Sequence, residues 1–227
     1  MPSILLVRHA QASFGGERYD VLSDHGHVQV EALAADLERR GMRIDEVVSG
    51  DLARQRDTAG PIAAAAGCEL TVDPRWNEYA TADVLGHHSG ADVREERQPR
   101  GDTPPVSSRE FQAILERALH AWIAAGAGGP AAEPWPAFAA RVEAALADLA
   151  GRLGSGRTAL VSTSGGPLAA ACVHLLRLPA PAFVAFNRVA VNTGITKVLS
   201  GRGGTTLVSF NEHAHLEQGA RSLVTYR

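Results

Sequence analysis

The chain has 227 residues, 45% of them hydrophobic and 21% charged, an ordinary balance for one large or two small globular domains. Its net charge of -3 provides no basic face for nucleic acid or an anionic membrane surface. Any anion site must therefore be a local cluster of arginines.

The first strand is expected over Ser3–Val7, a short buried run that ends abruptly in Arg8 and His9. Ser23 can cap a helix running to about Arg40, with Gly41 as its terminator and Val30, Leu33, Ala34 and Leu37 as its buried stripe. A second strand, Ile44–Ser49, leads into a helix from about Leu52 to Ala66, ended by Gly67. The inner face of that helix is Leu52, Ala59, Ile62, Ala63 and Ala66. Glu69–Val72 reads as a third short strand.

The middle changes character. From Trp76 to about Arg109 the pattern is polar and irregular, with Gly86, Gly90, Pro99, Gly101, Pro104 and Pro105, and reads as a long loop. A helix is expected over Ser108 to Ala124, before the break Gly126–Pro130. Excursions of this length are more often functional than incidental, and residues 76–136 are expected to cap a site.

Alternation then resumes. A helix begins near Pro136 with Phe138, Val142, Leu146, Leu149 and Leu153 inward. Thr158–Ser162 is a strand, Gly166–Leu176 a helix, and Ile195–Leu199 and Leu207–Phe210 two strands around the turn Gly201–Gly204. The last seventeen residues are weakly patterned. Repeated β-α-β units imply an α/β fold, a mainly parallel central sheet with helices on both faces. No linker divides it, so residues 1–227 are expected to form one domain. Cys68 and Cys172 form no metal or redox motif and read as small core residues. The opening apolar run lacks a basic leader, and no stretch approaches the roughly 20 apolar residues of a membrane span. A cytoplasmic protein is expected.

Three strand ends carry groups suited to one task. A buried parallel strand delivers the residues after it to the carboxyl edge of the sheet, where open α/β folds bind ligands. The first end supplies Arg8 and His9, an anion-gripping guanidinium and an imidazole able to act as nucleophile or base. The second supplies Ser49-Gly50-Asp51-Leu52-Ala53-Arg54, with Thr58 one turn on. Arg54 sits badly for the helix dipole, which hints at a compensating anion such as a phosphate. The third supplies Ser162-Thr163-Ser164-Gly165-Gly166, which opens a helix and frees backbone N–H groups for an anion. Each feature alone has a bland reading: a solvated arginine, an ordinary turn, a polar strand end. Three together are harder to dismiss.

In order and spacing, Arg8-His9-Ala10, Ser49-x-x-Leu52-x-Arg54-x-x-x-Thr58-Ala59, Glu78 after Trp76, and Ser164-Gly165-Gly166-Pro167-Leu168 resemble the successive motifs of the histidine phosphatase superfamily, the phosphoglycerate mutase-like group. The helix bearing Phe138, Arg141 and Val142 and the late Asn211–Leu216 segment fit its usual ending. The resemblance implies a phosphomonoester hydrolase in which His9 becomes a phosphohistidine. Arg8, Arg54, Ser164 and Gly165 would hold the phosphate oxygens, and Glu78 would serve as general acid and then base. It implies no metal and no cofactor, with a phosphorylated small molecule as substrate.

Two departures accompany the resemblance. Ser164 stands where the family usually carries a second histidine, a neutral donor for a chargeable one. Losing one good transition-state donor typically costs about 10²–10³ in rate. The first motif continues Gln11-Ala12-Ser13-Phe14-Gly15-Gly16 and lacks the Trp-Asn pair of the mutases. Hydrolysis is thus favoured over isomerisation. A low-activity or inactive phosphate-ligand binding or regulatory protein on the same scaffold and a phosphoglycerate mutase remain as alternatives. His213 or His215 could approach the pocket, though ordinary polar loop residues are the plainer reading. His87-His88 could line the mouth but lacks metal-site spacing, and His25 and His27 are expected to be exposed. Substrate identity and oligomeric state have no signature in the sequence.

Overall fold

The computed structural model describes residues 1–13, 20–88, 108–217 and 222–226. Phe14 to Gly16 of the first motif, and the glycines and prolines between Gly90 and Pro105, lie outside the described residues. Six strands form one sheet: β1 (Ser3–Arg8), β2 (Glu46–Ser49), β3 (Leu70–Val72), β4 (Thr158–Thr163), β5 (Ile195–Gly201) and β6 (Gly204–Glu212). Their spatial order is β3-β2-β4-β1-β5-β6. β1, β2, β3 and β4 pair in parallel, whereas β5 runs antiparallel to β1 and β6 antiparallel to β5. The sheet is mixed and mostly parallel.

The described helices are α1 (Asp24–Arg39), α2 (Ala53–Ala66), α3 (Thr81–His88), α4 (Ser108–Ala125), α5 (Trp135–Arg152), α6 (Gly165–Leu175) and α7 (Ala182–Val189). Local signals explain their ends. Ser23 caps α1 by accepting from Gly26 N at 3.0 Å, and α2 ends on Gly67 in the left-handed region at φ 67°. Alternating strand residues face opposite layers. Leu5, Val7, Val47 and Leu160 pack with Leu33 and Leu37 of α1 and Ala59 and Ile62 of α2. Ile4, Leu6, Val48 and Val161 face Phe138 and Val142 of α5, Ala169 of α6 and Phe183 of α7. Helices therefore cover both faces.

The middle segment departs from the expected loop. A short 3₁₀ turn, Pro74–Trp76, is followed by α3, which packs on α4. The ring of Tyr79 meets Trp122, Phe138 and Phe183 with centroids 5.4, 5.9 and 6.2 Å apart. Such pairs add about 0.5–1.5 kcal/mol each beyond burial. They fasten the chain immediately after Glu78 to the core. α7 has no counterpart among the sequence expectations. β6 is longer than Leu207–Phe210, because its antiparallel pairing with β5 runs from Gly204 to Glu212.

Cys172 is fully buried, and burial pushes its thiol up to about 12; Cys68 is half-buried against the α1–α2 layer. Among the described residues no helix is long and apolar enough to cross a membrane.

Candidate active site

β2, β4 and β1 are neighbours in the centre of the sheet, so the three strand ends singled out from sequence lie side by side. The Arg8–Thr163 register makes His9 and Ser164 the next residues on adjacent strand ends.

His9 is held through its backbone before its ring does anything. Its N–H donates to the Thr163 carbonyl at 2.7 Å, and its own carbonyl accepts from Asn192 Nδ2 at 2.8 Å. The next N–H, of Ala10, donates to Thr58 Oγ1 at 3.0 Å, which explains the threonine one turn beyond Arg54. The ring's tautomer is dictated by its partners. Arg54 Nε lies 3.1 Å from His9 Nε2, and a guanidinium nitrogen only donates, so Nε2 accepts. The proton is then on Nδ1, which donates to the Ala10 carbonyl at 2.7 Å. Burial first, then Arg54 and Arg8, hold the imidazole well below the ordinary histidine range. A neutral ring with its lone pair on Nε2 is the nucleophilic form.

Two guanidiniums flank it. Arg8 closes β1, and its Nη1 donates to the carbonyls of Ala190 and of Tyr226, the latter at 2.7 Å. Arg54, in the first turn of α2, donates through Nη1 to Asp20, and Asp20 also accepts the Ala53 N–H at 2.7 Å. The anion that compensates this cation at a helix N-terminus is therefore Asp20. Sequence reading missed it because the partners stand 34 positions apart.

Glu78 lies against the first turn of α6. Both its oxygens accept from Gly166 N, at 3.1 and 3.2 Å, and Oε1 also accepts from Tyr79 N at 3.2 Å. Burial raises its carboxyl above the ordinary range, against the opposing pull of the Gly166 N–H, Arg54 and Arg8. Its segment is tied down from two sides. Asn77 exchanges hydrogen bonds with Asp51, giving Nδ2 to Oδ1 at 2.6 Å and taking the Asp51 N–H at 2.8 Å. Arg141 donates through Nη1 to the carbonyls of Arg75 and Asn77, at 2.7 and 2.9 Å.

Ser164 is the N-cap of α6 and fully buried; its Oγ accepts from Gln55 Nε2 at 2.9 Å. A Cβ on Gly165 would stand 3.7 Å from Arg8 Nε and 2.8 Å from Asn187 Oδ1 of α7. The structure thus brings Arg8, His9, Arg54, Glu78, Ser164 and Gly165 to one edge of the sheet. Gln55 had a legible signal. It lies four residues before Ala59 and seven before Ile62, a polar residue on the buried stripe of α2.

The other histidines fall elsewhere. His215 is buried with Nε2 3.1 Å from Thr193 Oγ1, and His213 faces Glu217 at 3.7 Å. His87 pairs with Asp83 at 3.2 Å on α3. His25 is half-buried rather than exposed, its Nε2 lying 3.2 Å from the Leu223 carbonyl, while His27 is exposed. Among the described residues no group of three His, Cys, Asp or Glu side chains could hold a metal ion.

Known proteins share both the sequence pattern and the fold. The family profile "Histidine phosphatase superfamily (branch 1)" matches residues 4–122 and 99–213. A probable phosphoglycerate mutase GpmB from Enterobacter sp. (strain 638) is 28% identical over 186 residues, 79% of this chain and 77% of that protein. A probable phosphoglycerate mutase GpmB from Serratia proteamaculans (strain 568) is 34% identical over 84 residues, 34% of this chain and 38% of that protein. Among solved structures, a phosphoserine phosphatase mutant from Entamoeba histolytica in complex with phosphoserine superposes with a TM-score of 0.67 at 19% identity, covering 95% of this chain and all (100%) of that one. A mycobacterial glucosyl-3-phosphoglycerate phosphatase gives 0.62 at 23% identity, covering 92% and 98%. Both structural likenesses concern the fold.

Proposed function

This chain belongs to branch 1 of the histidine phosphatase superfamily, and we propose that within it the chain is a metal-independent phosphomonoester hydrolase acting through a phosphohistidine at His9. The observation that carries this reading is the His9–Arg54 contact, which leaves a neutral imidazole with its lone pair on Nε2 beside two guanidiniums.

In the first half-reaction, oxygens of the incoming phosphate compete for the Arg54 guanidinium and release the Nε2 lone pair. Nε2 attacks phosphorus and the P–O ester bond breaks. The departing alkoxide takes the proton of Glu78, a carboxyl whose raised affinity for protons suits a general acid. Arg8 and Arg54 neutralise charge on the non-bridging oxygens, for which the guanidinium fork is well shaped, and Ser164 and the Gly165 peptide supply further donors. In the second half-reaction the Glu78 carboxylate takes a proton from water. The resulting hydroxide attacks phosphorus, the P–N bond breaks, and phosphate leaves with His9 restored. Two arginines furnish the charge that a metal would otherwise supply. Ser164 takes the place of the family's second histidine, and residues 76–136 select the substrate's organic part.

The second reading is a phosphoglycerate mutase, favoured by what the curated relatives are named. Interconversion of 3- and 2-phosphoglycerate in the presence of the bisphosphate primer would support it over hydrolysis.

The deciding experiment mixes the protein with p-nitrophenyl phosphate, quenches in alkali because phosphohistidine is lost in acid, and maps the adduct by mass spectrometry. Phosphate on His9 with steady release of free phosphate is expected, and both vanish in His9→Ala. Tight phosphate-ester binding with neither adduct nor release would replace the hydrolase by a binding protein on the same scaffold.

A further inference from the structure

Gln55, in the first turn of α2, is fully buried, and its Nε2 donates to the Trp76 carbonyl at 3.1 Å and to Ser164 Oγ at 2.9 Å. The first contact determines the second. A carbonyl oxygen only accepts, so the amide atom facing Trp76 is the NH₂ group. That group has no lone pair to offer, so the Ser164 hydroxyl accepts from it and keeps its own hydrogen for another acceptor. Thr163, the neighbouring hydroxyl, is already committed, donating to the same Trp76 carbonyl at 2.7 Å. Room for the amide comes from Gly50, where a Cβ would stand 2.0 Å from Gln55 Oε1. The strand register then sets Ser164 beside His9.

We infer that Gln55 is a positioning residue that fixes Ser164 Oγ as a hydrogen-bond donor to a non-bridging oxygen of the phosphoryl group moving onto His9. The inference rests on the phosphatase reading. A hydroxyl whose acceptor side is already occupied needs no reorientation when charge develops on the phosphoryl oxygens, the property that makes a preorganised donor effective. Two neutral residues would then share the task of one chargeable imidazole.

The test is a double-mutant cycle on the full chain with Gln55→Met and Ser164→Ala, using p-nitrophenyl phosphate. It reads the rate of phosphohistidine formation, kcat, KM, and affinity for orthovanadate. Each single change is expected to slow phosphorylation about 10- to 100-fold while KM moves less than about threefold. The double variant should be no slower than Ser164→Ala, since Gln55 acts only through the serine. Gln55→Glu keeps the shape but offers an acceptor that captures the serine hydrogen, so it should be as slow as Gln55→Met, and it replaces that variant in the cycle if Gln55→Met does not fold. Losses that multiply in the double variant, or a full rate in Ser164→Ala, overturn this inference while the wild-type phosphohistidine stands. A wild type that neither phosphorylates His9 nor binds orthovanadate overturns the phosphatase reading, and this inference with it.

Discussion

Both oxygens of Glu78 accept from a single backbone N–H, that of Gly166, at 3.1 and 3.2 Å. The helix terminus that could serve an anionic ligand thus orients the carboxylate proposed as acid and base. Contact this close requires glycine: a Cβ at position 166 would stand 2.0 Å from Glu78 Oε1 and 2.7 Å from Tyr79 Cδ1. Gly166→Ala should displace Glu78 and cost about 1–3 kcal/mol by overpacking. Thermal unfolding should then fall by roughly 2–12 °C for a chain of this size. Turnover of an alkyl phosphate should drop more than that of p-nitrophenyl phosphate, whose phenolate needs little help from an acid. Equal losses on both substrates would argue against displacement of an acid.

The pH dependence arises from two opposite shifts. In the proposed mechanism His9 must be neutral to attack, and burial with Arg54 and Arg8 holds its imidazole low. As the proposed acid Glu78 must be protonated, and burial raises its carboxyl. kcat/KM should therefore peak on the acidic side and fall as pH rises through the raised Glu78 value. Glu78→Gln should abolish that alkaline limb and lower kcat for alkyl phosphates by about 10²–10⁴. pH–rate profiles of both proteins check this, and a limb that survives in Glu78→Gln would assign the titration elsewhere. His9 adds a stability effect of known sign. Its folded value lies below its unfolded one, so the unfolded chain binds more protons as pH drops below the ordinary histidine range, and stability falls there. His9→Gln should flatten that fall in urea titrations.

Arg141 links α5 to the segment carrying Glu78. Besides the Arg75 and Asn77 carbonyls, it grips Glu133 with Nε at 2.6 Å and Nη2 at 3.0 Å. Arg141→Ala should cost about 1.5–3 kcal/mol, since charge-assisted bonds are lost and their acceptors stranded. kcat should fall as Glu78 loosens, with orthovanadate affinity within about threefold, because Arg8 and Arg54 are untouched. Arg141→Lys should rescue poorly, as one ammonium does not reproduce the fork. Denaturant midpoints and the two binding and turnover assays separate these outcomes.

How much of this was legible depended on range. β1, β2 and β4, the caps at Ser23 and Gly67, and the buried stripes of α1 and α5 come from local pattern and appear as expected. α3 and α7 do not. Each has eight residues and only two fully buried positions, Val84 and Leu85 in one, Phe183 and Val184 in the other, too few to show a period. The strand-end groups were found because each carries its own chemistry. Their partners were not: Asp20 for Arg54, Asn192 for His9 and Gln55 for Ser164 are joined only by folding. The weakly patterned C-terminal stretch contributes partly through backbone, the Tyr226 carbonyl on Arg8 and the Leu223 carbonyl on Gln29, and a carbonyl has no sequence signature. Its Thr225 hydroxyl joins Gln29 to Asn192, a link that only folding makes.

Ser164→His asks whether serine is a handicap or a fit. The position is fully buried, and Gln55 Nε2 already stands 2.9 Å from Oγ. An imidazole reaches well beyond a hydroxyl, into the space that the Gln55 amide fills. Overpacking a buried site costs about 1–3 kcal/mol, so Ser164→His alone should lower both melting temperature and kcat. Gln55→Ala opens that space. In its background, Ser164→His should recover melting temperature and raise kcat above that of Gln55→Ala alone, because the ring then has room and offers a chargeable donor. Melting curves and kcat for the four proteins decide the matter. A rise in kcat from Ser164→His by itself would mean that the pocket has spare room and that Gln55 is not a fixed partner of the serine.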